Sequence, residues 1–428
     1  MTDCLRRPAL VTVILVACLH PGAVADEAVA DTPPTFLGLW DVRIECPGGD
    51  IEFGLDVQRD QEHAPQGRAR TATDVTDAAS LRAFLINGSE RIPVPQVRVT
   101  DERLTLNIRH YDSVVTLRRE SEQLSGQWKK RRGADEWVQL HVTAVPHTAI
   151  RSDDAAAFTG RWSVQFESSE DQAVGIFRQV GQRVDGTFLT TTGDYRFLSG
   201  RVHQGQLQLS CFDGGHAFLF RAKAGTDGTL RGDFWSASTW HETWTAQRNE
   251  QAELPDSFRQ TIAVPTVDAD QLKFPDLDGV ERSINDPRYA GKARIIYVFG
   301  SWCPNCHDAA AWFAELERRF GDQGLSILGL AFELTGDFER DRKQVQRYAE
   351  RHAAKYPILI AGLSDKADAS RRLPILDRVR SYPTTIFLDR NNRIRAVHTG
   401  FSGPATGPAH DRLRERFELL ITELLDDE

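Results

Sequence analysis

The motif Cys-Pro-Asn-Cys, with its cysteines at Cys303 and Cys306, constrains the fold of this chain more than any other feature. Residues 293–300, just before it, form a short apolar and β-branched run that predicts a buried strand. Residues 309–320, just after it, place large apolar side chains on one helical face and predict a helix. The two cysteines are therefore expected where a buried strand turns into a helix.

This placement indicates which reaction the two thiols can perform. Unpaired backbone N–H groups and the helix dipole favour an anion at a helix N-terminus, so Cys303 is expected to act as a thiolate nucleophile. Cys306 lies one helical turn on, close enough to form a disulfide with Cys303. A structural zinc site needs four ligands, and His307 is the one nearby candidate. We therefore interpret the pair as a redox-active dithiol for thiol–disulfide exchange, in preference to a metal site or a purely structural disulfide.

The sequence after the motif continues as alternating strand and helix patterns. A β-α-β unit followed by a hairpin and a closing helix is the order of elements in a thioredoxin fold. The predicted strands are residues 324–333, 356–361, 382–389 and 394–400, and the predicted helices are 337–352 and 411–425.

Three segments together resemble the TlpA/ResA-type thioredoxin-like proteins of bacteria. They are Phe-Gly-Ser-Trp-Cys-Pro-Asn-Cys at 299–306, Tyr-Pro-Thr-Thr-Ile-Phe-Leu-Asp at 382–389 and Thr-Gly-Phe-Ser-Gly-Pro-Ala-Thr-Gly at 399–407. The resemblance covers residues 262–428, which we expect to form an α/β thioredoxin fold, and it does not extend to the part of the chain before them.

The resemblance implies roles for several residues around the motif. It implies that Pro383 is a cis-proline facing the disulfide, which leaves the neighbouring backbone free to pair with a substrate strand. It also implies that Glu333 is a buried carboxylate that shuttles protons near the cysteines, with a pKa raised by burial. The residues expected to dock the substrate are Trp302, Pro304, Asn305, Tyr382 and Thr384.

The N-terminus predicts export. Residues 1–25 combine a charged start, a short apolar run and an Ala-Val-Ala cleavage pattern, as in a secretory signal peptide. A competing pattern, Leu-Val-Ala-Cys ending at Cys18, is similar to a bacterial lipobox and would attach the protein to a membrane by a lipid anchor alone. The mature protein is then periplasmic or in the outer envelope, where a reductase would need a membrane electron donor to keep its dithiol reduced.

The first half of the chain has a different character. From about residue 36 to 248 it consists of short alternating runs with turns between them, which predicts an all-β, antiparallel meander. It also contains an internal repeat: Gly-Leu-Trp at 38–40 is mirrored by Gly-Arg-Trp at 160–162. We expect two copies, residues 36–146 and 158–248, forming either two small barrels or two halves of one barrel or sandwich.

Two further cysteines, Cys46 and Cys211, belong to this β-rich half. In an exported protein they either form a structural disulfide or remain as two buried thiols, and the sequence leaves both alternatives open. A faint resemblance to lipocalin-type barrels adds a ligand cavity as one role for the half, with an interaction or spacer module as the other. The formal net charge of −9 argues against a nucleic-acid partner.

These observations predict a multidomain, exported thiol–disulfide oxidoreductase, most simply a disulfide reductase acting on a disulfide-bearing protein. The two thiols carry the chemistry, so no cofactor or metal is expected. A thiol peroxidase of the same fold is the first alternative, although the Pro-x-x-x-Thr-x-x-Cys pattern of such enzymes is absent around Cys303. A β-rich binding protein with an accessory redox domain is the second.

Overall fold

The structure is a computed structural model, and it describes residues 36–60, 81–100, 102–148, 158–264 and 271–426. The predicted signal peptide and Cys18 lie outside the described residues. Within the ranges described, none of the helices is both long and apolar enough to cross a bilayer.

The first β unit is a nine-stranded antiparallel sheet with the strand order β4-β3-β2-β1-β9-β8-β7-β6-β5. Buried and more exposed residues alternate along most strands, as expected for a sheet that covers a core with one face. The strands are β1 (Gly38–Cys46), β2 (Gly49–Arg59), β3 (Leu81–Asn87), β4 (Glu90–Pro93), β5 (Gln96–Thr100), β6 (Arg103–Ile108), β7 (Ser113–Glu120), β8 (Gln123–Arg131) and β9 (Trp137–Pro146).

The second β unit has nine strands in the order β11-β10-β18-β17-β16-β15-β14-β12-β13. Strand β12 pairs with both β11 and β14, which closes this sheet into a barrel from which β13 extends. The strands are β10 (Gly160–Phe166), β11 (Ala173–Val180), β12 (Arg183–Thr190), β13 (Gly193–Asp194), β14 (Leu198–His203), β15 (Gln206–Phe212), β16 (Ala217–Ala224), β17 (Leu230–Ser236) and β18 (Trp240–Arg248).

The predicted duplication is confirmed, and it takes the form of two barrel-like sheets rather than two halves of one. The strands correspond one to one in chain order, and every pairing of the first sheet recurs in the second, which adds the pairing of β12 with β14. Trp40 and Trp162 occupy equivalent positions near the start of each unit, and the indole Nε1 of each donates to the carbonyl oxygen of the residue four before it, Phe36 and Phe158. The same tryptophan cap therefore opens both units.

The disulfide between Cys46 and Cys211, one of the two alternatives, is not formed, because both cysteines are free thiols. Cys211 is fully buried among the apolar side chains inside the second barrel. Cys46 ends β1 in the other sheet, packs on the core of the first unit and donates its thiol hydrogen to Ala237 O at 3.1 Å. The two thiols thus belong to different hydrophobic cores.

The C-terminal domain is an α/β thioredoxin fold built on a five-stranded mixed sheet in the order β23-β22-β21-β24-β25. The central strand β21 is buried at every residue; it runs parallel to β22 and antiparallel to β24. The strands are β19 (Lys273–Pro275), β20 (Glu281–Ser283), β21 (Ala293–Phe299), β22 (Leu325–Glu333), β23 (Ile358–Leu363), β24 (Thr384–Leu388) and β25 (Ile394–Thr399); the helices are α1 (Pro304–Phe320), α2 (Phe338–His352), α3 (Lys366–Arg372) and α4 (Pro408–Asp426).

The order of strands and helices predicted for this domain is confirmed, with two additions. The hairpin of β19 and β20 and the short helix α3 were not predicted. The domain also begins to pack before residue 262, since the ring of Phe258 lies against Phe387 and Phe417 of its core.

Candidate active site

Cys303 lies where the sequence predicts, between a buried strand and a helix. It is the N-cap of α1, with an extended backbone, and its Sγ accepts a hydrogen bond from Cys306 N at 3.3 Å. Its carbonyl oxygen accepts from the backbone N–H groups of Cys306 and His307. A negative charge on this sulfur is therefore favoured by a directed N–H group and by the positive end of the helix dipole.

The two cysteines differ in access. Cys306 is completely buried, and burial together with the neighbouring Cys303 thiol raises its pKa well above the ordinary value. Cys303 retains 7% of its surface, so it is the sulfur of the pair that an incoming group can reach. This arrangement suits one attacking thiol and one resolving thiol.

The predicted docking residues surround Cys303. The Tyr382–Pro383 peptide bond is cis, and Tyr382 O lies 3.5 Å from Cys303 Sγ. The Trp302 ring packs edge-on against the Tyr382 ring at 5.6 Å. Thr384 is buried and donates its hydroxyl to Ser381 O, which holds the loop before the cis peptide.

Pro304 and Asn305 separate the two cysteines on the first turn of α1, and both are buried. The first turn is fixed from below, because the hydroxyl groups of Tyr297 and Tyr348 both donate to Cys306 O, at 2.7 and 2.8 Å. The role of these two tyrosines could not be predicted from the sequence, since each has the pattern of an ordinary core residue of a strand or a helix.

Glu333 ends β22 inside the protein and is fully buried. Its carboxylate accepts hydrogen bonds from Ser301 N at 2.8 Å and Ser301 Oγ at 2.6 Å. Burial raises its pKa to about 8 in spite of these bonds, as the sequence analysis expected for a desolvated carboxyl. The carboxyl group is thus tied to the strand–helix turn two residues before Cys303.

His307, which comes directly after Cys306, lies close to two other histidines. His307 Nε2 lies 2.8 Å from Ser301 O, and its Nδ1 lies 2.6 Å from His352 Nε2. Burial lowers the pKa of His307 well below its ordinary value, so the ring is neutral near pH 7. His110 and Tyr111 of the first β unit pack their rings against it. Among the described residues, no group of three or more His, Cys, Asp or Glu has an arrangement that could hold a metal ion.

Both β units reach the site through equivalent loops, which the sequence analysis missed. The loop between β6 and β7 carries His110 and Tyr111. The corresponding loop between β15 and β16 contains Asp213, whose carboxylate accepts from the backbone N–H groups of Gly215 and His216. The Asp-Gly-Gly-His sequence at 213–216 is typical of a simple turn. The turn exists, and it also packs Gly215 against the Pro304 ring.

A cavity of about 350 Å³ remains beside Cys303. The thioredoxin-like domain lines one side of it and the second β unit lines the other. Its walls include Trp302, Tyr382, Lys366, Tyr195, His216 and Phe218.

Comparison with known proteins concerns the C-terminal part of the chain. Residues 265–397 match the model of the AhpC/TSA family. The thioredoxin-like protein YneN of Bacillus subtilis is 28% identical over 124 residues, which are 29% of this chain and 65% of that protein. The thiol-disulfide oxidoreductase ResA of Geobacillus thermodenitrificans is 27% identical over 125 residues, 29% of this chain and 63% of that protein. The chain therefore spans a little under two thirds of the length of these relatives.

Among solved structures, similarity is found to a thiol:disulfide interchange protein of the thioredoxin family from Chlorobium tepidum. It is 18% identical with a TM-score of 0.29, and the alignment covers 38% of this chain and 97% of that one. The sequence relatives and the family model confirm that the C-terminal domain resembles the TlpA/ResA-type thioredoxin-like proteins. It is a thioredoxin-like domain of the kind found in thiol–disulfide oxidoreductases.

Proposed function

We propose that this protein is an exported disulfide reductase that works through the Cys303–Cys306 dithiol. The observation that carries the proposal is the asymmetry of the two thiols. Cys303 caps α1 and is the reachable sulfur, whereas Cys306 is buried one turn behind it. A thiolate at the first position and a protected thiol at the second are what a two-step exchange requires.

The proposed cycle conserves atoms and electrons. The Cys303 thiolate attacks one sulfur of a substrate disulfide, forming a mixed disulfide and releasing the first substrate thiolate, which takes up a proton. Cys306 loses its proton and attacks Cys303 Sγ, which releases the second substrate thiolate and forms the Cys303–Cys306 disulfide. Two electrons have then passed from the dithiol to the substrate.

Glu333 is proposed to assist the proton transfers of this cycle. Its raised pKa of about 8 leaves the carboxyl largely protonated at neutral pH, so it can both donate and accept a proton in that range. Because both of its hydrogen bonds go to Ser301, we assign it to the turn that carries Cys303 rather than to direct contact with a thiol.

The remaining partners follow from the location. An exported dithiol needs a membrane electron donor to be reduced again after each cycle. The predicted signal peptide supports export, and lipid attachment at Cys18 would place the domain at a membrane surface.

The direction of the reaction is tested by the reduction potential of the Cys303–Cys306 pair, titrated in a dithiothreitol or glutathione buffer. A value near thioredoxin's, about −270 mV, is expected for a reductase. A value near about −120 mV would instead make the protein a disulfide donor.

The residues are tested by substitution. Cys303→Ser should abolish reduction of every disulfide substrate, whereas Cys306→Ser should trap a mixed disulfide on Cys303 that mass spectrometry detects. Retained turnover in Cys303→Ser would exclude the proposed role. Rapid consumption of hydrogen peroxide by the wild-type protein, with slow disulfide reduction, would favour the peroxidase alternative.

A further inference from the structure

The hairpin of β12 and β13, in the second β unit, lies on the face where a thioredoxin-like domain docks its substrate. Ser381 Oγ, beside the cis peptide, donates to Thr192 O at 2.7 Å. Gly193 is so close to the motif that a Cβ on this residue would overlap the side-chain amide of Asn305. The hairpin backbone therefore touches both the cis-proline loop and the residues between the cysteines, and it occupies the space that an extended substrate strand would need.

Buried charges hold the hairpin in this position. Asp194 accepts from Gly403 N at 2.6 Å, on the loop that follows β25. Two residues on, the Arg196 guanidinium forms ion pairs with Asp308 of α1, with Asp213 at 3.2 Å and with Glu90 of the first β unit at 3.4 Å. Arg196 is only 7% exposed. Lifting the hairpin would separate buried ionic partners, which is strongly unfavourable.

A cavity of about 350 Å³ between the hairpin and the dithiol gives access to Cys303. This volume is at the lower end of the range for small-molecule sites. Aromatic rings from both sides, Trp302 and Tyr382 opposite Tyr195 and Phe218, line it together with polar groups such as His216. The cavity thus has the size and mixed character of a site for a compact ligand.

We propose that this cavity is the substrate site and that it takes a low-molecular-weight disulfide, about the size of two amino acids joined by one S–S bond. The inference rests on the proposed function and specifies its substrate class, in place of the protein disulfide that the sequence predicts. Cys303 attacks one sulfur of the small disulfide and Cys306 resolves the mixed disulfide. Two small thiols leave through the cavity, and the dithiol supplies both electrons.

The test compares two oxidants on the full chain. Protein reduced with dithiothreitol and then desalted is mixed with cystine or with insulin, and loss of the two active-site thiols is followed. Each rate constant is divided by that of free dithiothreitol with the same disulfide, which removes the intrinsic reactivity of the oxidant. The normalised rate with cystine should exceed that with insulin at least tenfold. An equal or faster normalised rate with insulin would overturn the proposal.

A second variant tests the cavity itself. Thr192 lines the cavity yet is exposed, so Thr192→Trp places a bulky ring at its mouth without burying new atoms in the core. The substitution should slow cystine at least tenfold, while Thr226→Trp, at an exposed turn of the same unit, should change the rate less than twofold. An unchanged cystine rate in Thr192→Trp overturns the assignment of the cavity.

The failures of the two proposals are distinguishable. If neither cystine nor insulin oxidises the dithiol, or if Cys303→Ser reacts like the wild type, the proposed function fails. If both oxidants react through Cys303 but insulin is preferred, the proposed function stands and the substrate class is wrong.

Discussion

The two β units each have nine strands and a tryptophan cap, and every strand pairing of the first recurs in the second, yet they differ in closure and in their contacts with the dithiol region. The second unit closes into a barrel because β12 pairs with β14 as well as with β11, whereas the equivalent strands β3 and β5 do not pair in the described part of the first unit, so that β4 and β5 remain its edges. The loop of the first unit packs His110 against His307 of α1, whereas the equivalent loop of the second unit packs Gly215 against Pro304, the first residue of the same helix. Equivalent loops of the two β units therefore contact different residues in the first turn of α1.

The corresponding hairpins also meet in one ion cluster. Glu90 comes from the β3–β4 hairpin of the first unit, and Arg196 comes from just after the β12–β13 hairpin of the second. Asp308 on α1 pairs with the same arginine. The two copies therefore differ in a complementary way. The first supplies the carboxyl group of Glu90, and the second supplies Arg196, which joins Glu90 to Asp308 on α1.

The largest expected effect is that of Arg196→Ala, which removes the base from this cluster. Glu90, Asp213 and Asp308 would remain buried without the guanidinium that pairs with all three, and the free energy of unfolding should fall by about 3–5 kcal/mol. Urea denaturation measures the loss. Arg201→Ala is the matched control, because Arg201 also links the second unit to a glutamate of the first, Glu52, but at a more exposed position. It should cost about 0–1 kcal/mol, and similar losses for both variants would contradict the role of the cluster.

Glu90, one of the acidic residues of this cluster, leads to a prediction of how stability depends on pH. Burial raises the pKa of Glu90 to about 7, although the nearby Arg196 opposes the shift. The carboxyl group of Glu90 therefore binds a proton more tightly in the folded state than in the unfolded state. The stability that this protonation contributes is complete below about pH 4.5 and is lost as the pH rises to about 7.

Glu90→Gln lacks this titration. The stability of the wild type relative to Glu90→Gln should therefore decline by up to about 3 kcal/mol between pH 4 and pH 8. Unfolding free energies of both proteins across this range measure the difference. A difference that stays constant would show that folding does not shift the pKa of Glu90, and one that grows in favour of the wild type at high pH would show that the pKa is lowered in the folded protein.

Equivalent glycines provide a test at the level of packing. Gly126 in β8 and Gly232 in β17 occupy matching places, and a Cβ on either would overlap a carbonyl oxygen of the neighbouring strand, that of Thr116 or Arg221. Gly126→Ala and Gly232→Ala should each lower stability by about 1–3 kcal/mol, because the backbone of the adjacent strand must shift.

The control for this pair is Gly321→Ala, since a Cβ on Gly321 meets no atom within 4 Å. It should leave the melting temperature unchanged or slightly raised. A loss in only one of the two barrel variants would mean that the copies have diverged in strand spacing at this position.

Local patterns predicted the thioredoxin-like domain well, because each of its elements carries its own signal. The apolar run of β21 and the helix after Cys303 are examples, whereas the burial of Glu333 was implied by the family resemblance rather than by a local pattern. The short helix α3 was missed because Lys366–Arg372 is charged and lacks an apolar stripe.

The contacts that enclose the site could not be predicted in this way. The Ser381–Thr192 bond joins residues 189 positions apart, and no local pattern encodes such a pairing. The same reason left open whether the β copies close separately, since the β12–β14 pairing that distinguishes the closed barrel joins strands that are not consecutive in the chain. Duplication was visible in the sequence, whereas the divergence of the copies was not.

The smallest expected effect is that of substituting the tryptophan caps of the two units. Trp40→Phe and Trp162→Phe each remove an indole N–H that donates to a carbonyl oxygen, at 3.0 and 3.1 Å, while keeping an aromatic ring in the core. Each should cost about 1 kcal/mol, the net contribution of one hydrogen bond, as measured by chemical denaturation. Trp137→Phe, at a position 42% exposed, should stay within about 0.5 kcal/mol of the wild type. Because the two caps have the same geometry, unequal losses would show that the open first sheet and the closed second barrel depend on the cap to different degrees.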